Sequence, residues 1–131
     1  MGLKVVLLIG LPGSGKTYLA QHEYAPKGYL VVDDPKTIEE IQTVLDLAYT
    51  SKAPGVVLCD PTLVMAGHRE KAFEYLKLCD VECVYFENDP VKAQMNCTNR
   101  QDGRVINLRF FSSFYDIPDG VTCRPIWTPE S

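Results

Sequence analysis

Apolar positions in this chain come in blocks. Four short, largely apolar runs, Lys4–Ile9, Tyr29–Val32, Gly55–Cys59 and Glu82–Phe86, have the length and β-branched content of strands covered on both faces. Between them lie segments with helical spacing. Tyr18–Tyr24 is compatible with a helix that Pro26-Lys27-Gly28 breaks. The segment from about Thr37 to Tyr49 opens on a capping box, Thr37 with Glu40, and sets Ile38, Ile41, Leu45 and Ala48 on one stripe. From about His68 to Cys79 the spacing turns Ala72, Phe73 and Leu76 inward. Pro90 opens a helix toward Asn99, Ile106–Tyr115 reads as another, and Val121–Trp127 reads as a last strand. The aromatic residues Phe110, Phe111, Phe114 and Tyr115 recur at helical spacing and read as packing rather than as a base-stacking platform. Strands and helices in alternation predict an α/β fold of three layers, αβα, around a parallel sheet of about four to five strands.

The link between the first strand and the first helix changes this from a fold reading into a chemical one. Gly10-Leu11-Pro12-Gly13-Ser14-Gly15-Lys16-Thr17 matches the phosphate-binding loop pattern G-x-x-x-x-G-K-[ST] at every fixed position, in the strand–loop–helix setting the motif needs. The glycines let backbone N–H groups turn toward phosphate oxygens, and the helix N-terminus adds positive potential. Gly10, Pro12, Gly13, Ser14, Gly15, Lys16 and Thr17 are therefore expected to bind a nucleoside triphosphate. Lys16 would neutralise the outer phosphates, and Thr17 would ligate Mg²⁺. The expected fold is thus that of the P-loop NTPases.

Ligands on such sheets bind at the carboxyl ends of the strands. Asp33 and Asp60 both end strands. Asp60 has two readings: a Walker B carboxylate that holds Mg²⁺ together with Thr17, or a turn residue before Pro61-Thr62. Asp33 is placed to orient an acceptor hydroxyl and take its proton, as catalytic base. Asp34, before Pro35, reads as a helix cap. Arg100 and Arg104 flank a polar turn; an arginine there either stabilises charge on a transferring phosphoryl group or is simply solvated. Lys36, Arg69 and Lys71 are candidate phosphate contacts on the acceptor side, each read more readily as a solvated charge than as a functional one. His22 and His68 read as surface residues.

Bulk properties set limits. The chain has 131 residues and 46% hydrophobic content, enough for one domain, 1–131, with one sizeable core. The net charge of −4 argues against a broad platform for duplex DNA. No apolar run approaches membrane-spanning length, so no membrane association is expected. The five cysteines include no C-x-x-C pair, which favours neither a disulfide framework nor a zinc site. With the first strand starting almost at once, the expected location is cytoplasmic.

From about Lys4 to Pro118 the chain resembles small P-loop kinases, most of all the kinase domain of bacteriophage polynucleotide kinase. The resemblance rests on the phosphate loop, on Val31-Val32-Asp33-Asp34-Pro35-Lys36, on Cys59-Asp60-Pro61-Thr62-Leu63, and on Phe86–Pro90 with Asn96–Arg100. It implies ATP and Mg²⁺ as cofactors and phosphoryl transfer to a hydroxyl of a polynucleotide 5′ end or of a nucleotide-like small molecule. It implies Asp33 as the base, Lys36 as the acceptor-phosphate contact and Arg100 as a lid arginine. Val32, Lys36 and Asn96 stand where the family carries arginines. A regulatory nucleotide-binding module and a simple NTPase are the alternatives.

Overall fold

The computed structural model describes residues 2–99 and 108–126. Its elements, in chain order, are β1 (Lys4–Ile9), α1 (Lys16–Leu19), β2 (Leu30–Asp33), α2 (Ile38–Ser51), β3 (Gly55–Cys59), α3 (Ala66–Tyr75), β4 (Asp80–Tyr85), α4 (Pro90–Asn99) and α5 (Leu108–Phe114). α1 runs on as a π-helical turn, Ala20–Tyr24, and then a 3-10 turn, Ala25–Lys27. A second 3-10 turn, Pro61–Val64, follows β3.

The four strands form one parallel sheet in the order β2-β3-β1-β4. In β1, Val5, Leu7 and Ile9 face one side and Val6 and Leu8 the other, the period of two that a strand imposes. The first side is covered by Ile41, Leu45 and Ala48 of α2, by Ala72 of α3 and by Leu76. The second side is covered by Leu19 and Ala20, with Tyr24 and Tyr29 packed against them. Helices on both faces leave no side of the sheet wet, and all five β3 residues are buried. A third cluster of Leu11, Ala93, Leu108 and Ile126 lies over the carboxyl end of the sheet and joins α4 and α5 to the phosphate loop.

Three expectations are corrected. Val121–Trp127 forms no full strand within its described part; it contributes one bridge, Phe86 with Arg124, so among the described residues the sheet has four strands. Ile38 is 52% exposed: it is the first residue of α2, ahead of the stretch that Ile41, Leu45 and Ala48 bury. Phe73 is 41% exposed, while Arg69, one turn before it, is 4% exposed. Arg69 takes the inward place because its NH1 donates to the Leu63 and Val64 carbonyls at 3.0 and 2.9 Å and its NH2 meets the Asp116 carboxylate. It is a structural clamp rather than a solvated or phosphate-facing charge.

Candidate active site

The phosphate loop leaves β1 at Gly10. A Cβ there would lie 2.5 Å from the Ser14 Oγ and 2.9 Å from the Phe86 Cβ, so only glycine lets the loop close this tightly against the end of β4. Gly13 (φ 83°) and Gly15 (φ 101°) adopt left-handed backbone, and Gly15 directly precedes α1. Inside the loop the Ser14 N–H donates to the Leu11 carbonyl at 3.0 Å. Lys16 is buried, and its Nζ donates to the Gly10 and Leu11 carbonyls, each at 2.7 Å. The ammonium is thus already held over the loop.

Thr17 Oγ1 donates to Asp33 Oδ2 at 3.1 Å. This contact brings the start of α1 to the end of β2, two strands away from β1 in the sheet. Asp33 is exposed. Asp34 stands next to it in left-handed backbone (φ 51°), with its N–H on the Cys59 carbonyl at 2.7 Å. Its carboxylate takes the Lys36 ammonium at 3.1 Å. Thr37 caps α2 by accepting the Glu40 N–H at 3.3 Å, while the Glu40 carboxylate reaches back to the Lys36 N–H at 2.6 Å. Helix capping therefore falls to Thr37 and Glu40.

Asp60 follows β3 and caps the following 3-10 turn. Its Oδ1 accepts from the Thr62 N–H at 2.9 Å and from the Thr62 hydroxyl at 2.8 Å. Thr17, by contrast, pairs with Asp33. Mg²⁺ in phosphoryl-transfer sites takes one or two protein oxygens and keeps the rest for phosphate and water. Neighbouring oxygens in its octahedral shell lie about 3 Å apart. The Thr17 hydroxyl and Asp33 carboxylate have that spacing and chemistry, so the residues fit such an ion. Among the described residues no cage of three or more His, Cys, Asp or Glu exists, and an ion shared with phosphate needs none.

Three features of the site go beyond what the sequence shows. A cavity of about 470 Å³ lies beside α1, with Leu19, Phe86 and Ile126 as apolar walls and Tyr18, Glu23 and Arg124 as polar ones. The π-helical turn widens the helix here, and the Tyr18 and His22 rings stack at 4.0 Å. A π turn leaves no periodic signal in a segment this short. The Tyr115 hydroxyl, between the Ile9 carbonyl at 3.1 Å and the Phe86 carbonyl at 2.5 Å, ties the end of α5 to the ends of β1 and β4. Burial raises its pKa, which keeps the phenol a donor. Asn96 of α4 donates to the Gly13 carbonyl at 2.8 Å. Arg100 and Arg104 lie outside the described residues.

No family model matches the sequence, and no curated protein matches it. Among solved structures, the chain is similar to the crystal structure of a gluconokinase from Sinorhizobium meliloti 1021. That likeness has a TM-score of 0.60 at 14% identity and covers 98% of this chain and 84% of the other. This chain has the α/β P-loop fold, a parallel four-stranded sheet between helices. The likeness does not single out the phage polynucleotide kinase. Among the described residues, no helix is long and apolar enough to cross a membrane.

Proposed function

We propose that the protein is an ATP-dependent phosphotransferase that moves the γ-phosphate to a hydroxyl of a small molecule, with a nucleotide or a polynucleotide 5′ end as the alternative acceptors. The observation that carries this reading is the contact between Thr17 and Asp33. A simple NTPase needs a loop and a metal-binding hydroxyl. A kinase needs, in addition, an exposed carboxylate at the edge of the phosphate site, and Asp33 answers that need.

In this reading Gly13, Gly15 and Thr17 present backbone N–H groups to the triphosphate, and the α1 N-terminus adds its partial charge. Lys16 moves from the Gly10 and Leu11 carbonyls toward the β/γ oxygens. Mg²⁺, when bound, supplies neutralisation of those oxygens, and Thr17 with Asp33 or Asp60 would hold it. With Asp60 on the ion and Thr17 turned to the phosphates, Asp33 Oδ2 is released to accept the proton of the attacking hydroxyl. The bond from that hydroxyl oxygen to the γ-phosphorus forms as the bond to the β–γ bridging oxygen breaks, and ADP leaves. Arg100 would stabilise the charge that spreads over the transferring group. The cavity beside α1 begins at Gly15 and suits a nucleobase between its apolar walls.

Two observations support a small acceptor. The Lys36 ammonium is engaged by Asp34, which lowers its pull on an acceptor phosphate. The net charge of −4 also disfavours a polyanionic strand. The alternative of a nucleotide-binding module draws on the same Lys36 pairing.

The test is transfer from γ-labelled ATP to a panel of sugars, sugar acids, nucleosides, nucleotides and 5′-hydroxyl oligonucleotides. Transfer to a small hydroxyl compound, lost in Asp33→Asn by on the order of 10²–10⁴-fold, is the expected result. ATP binding without transfer to any acceptor would favour the module. If Asp33→Asn instead loses Mg²⁺-dependent ATP affinity, its carboxylate serves the ion rather than the proton.

A further inference from the structure

The amide of Asn96 joins α4 to the phosphate loop. Asn96 is 7% exposed, and its Nδ2 donates to the Gly13 carbonyl across 83 residues of sequence. Ala93, one turn earlier in α4, packs in one cluster with Leu11, Leu108 and Ile126. Such packing holds α4 near the loop but has no direction. The hydrogen bond has direction, and it falls on the peptide group where direction matters.

That peptide joins Gly13 to Ser14. Its carbonyl is held by Asn96 at 2.8 Å and its N–H by the Leu11 carbonyl at 3.0 Å. Gly13 has φ 83° and no side chain, so nothing of its own stops the peptide from rotating. A rotated peptide would carry the carbonyl toward the phosphates and oppose an anion. A neutral donor on that carbonyl blocks the rotation and adds no charge.

We propose that Asn96 is a positioning residue for the phosphate loop, which it holds in its phosphate-binding form before nucleotide arrives. The inference rests on the phosphate-loop reading given above. It differs from an arginine at this place, which would act on the phosphate itself; Asn96 acts through the loop. The gain is preorganisation, so it belongs to any ligand with a triphosphate and is indifferent to the base.

The experiment measures affinity for Mg²⁺·ATP and for inorganic tripolyphosphate by calorimetry in the parent, Asn96→Ala and Asn96→Asp, with ligand-free melting curves as the fold control. Asn96→Ala should weaken both ligands by the same factor, about threefold to tenfold, the range one neutral hydrogen bond commands. Asn96→Asp removes the donor and sets a charge beside the loop, so it should lose more. Its deficit relative to the parent should shrink as the pH falls through the carboxyl range and the acid again donates. A mere helix anchor would lower the melting temperature and leave these affinities and this pH profile at parental values; that outcome overturns the proposal. If Asn96→Ala does not fold, the pH profile of Asn96→Asp decides alone. A parent that binds neither ligand would remove the phosphate-loop reading itself, and this inference with it.

Discussion

Arg69 and Asp116 meet at 2.6 Å, although 47 residues separate them. The guanidinium is almost wholly buried and stands 5.6 Å from the Tyr85 ring centroid. It also serves two carbonyls of the 3-10 turn that Asp60 caps. The Asp116 N–H returns a bond to the Val64 carbonyl at 2.8 Å. Arg69 therefore locks the chain after β3 to the chain after α5. Arg69→Ala should cost about 3 kcal/mol in urea unfolding, since it strands buried carbonyls and leaves a void. Asp116→Asn should cost less, about 1 kcal/mol, because the Asp116 side chain is 58% exposed. Equal losses in the two variants would show that the ion pair, and not the carbonyl contacts, dominates.

Lys16→Ala separates the bonds of the ammonium to the loop from its proposed role on phosphate. Without ligand, the variant loses the bonds to Gly10 and Leu11 and should melt slightly lower. With Mg²⁺·ATP, the parent should gain stability by mass action, about 2.7 kcal/mol at a hundredfold excess over Kd. The variant should lose most of that gain. A parental ligand-induced shift in Lys16→Ala would mean that phosphate is bound elsewhere.

Asp60 calls for two substitutions. Asp60→Asn keeps an oxygen for the Thr62 N–H, whereas Asp60→Ala removes it. If Asp60 acts as a cap, the asparagine should lie within a few tenths of a kcal/mol of the parent and the alanine about 1 kcal/mol below it in ligand-free unfolding. If it also serves Mg²⁺, both variants should lose ATP affinity with Mg²⁺ present and keep it in EDTA. Parental Mg²⁺ dependence in both confines Asp60 to the cap.

Cys59 gives a pH dependence with a definite sign. Burial pushes its thiol up to about 12, and nearby Asp33 adds to the effect. The neutral thiol is the form the fold favours. Its contribution is full below the ordinary thiol value of 9.0 and is lost as the pH rises from there toward about 12. Stability measured by urea unfolding should therefore fall across that alkaline window, and Cys59→Ala should fall less steeply. Parallel curves for the two proteins would refute this.

How much of this was legible follows the range of the forces involved. β1 and β3 have the bounds their apolar runs predict, because a strand buried on both faces must be apolar throughout. Thr37 and Glu40 marked the start of α2 through local hydrogen bonds. The phosphate loop could be read because its fixed positions lie within eight consecutive residues. The pairing of Thr17 with Asp33 depends on which strands are neighbours, and no spacing along the chain encodes that. Arg69 was hidden for another reason: a charged residue reads as solvated until its acceptors are known. Asn96 finds its acceptor in a loop 83 residues away, and nothing around it in sequence points there.

The order of the strands also bears on how molecules of this protein meet one another in solution. β1 and β3, the most apolar strands, are interior to the sheet, so the edges fall to β2 and β4. β2 is only four residues long and ends in Asp33. β4 carries Asp80 and Glu82, the latter paired with Lys4 at 3.1 Å, and its end is bridged through Phe86 to Arg124. Short or charged edges are poor templates for strand addition. Self-association through the sheet is therefore discouraged by where the charges fall, and substitutions such as Glu82→Val would raise the risk of aggregation with little effect on the phosphate site.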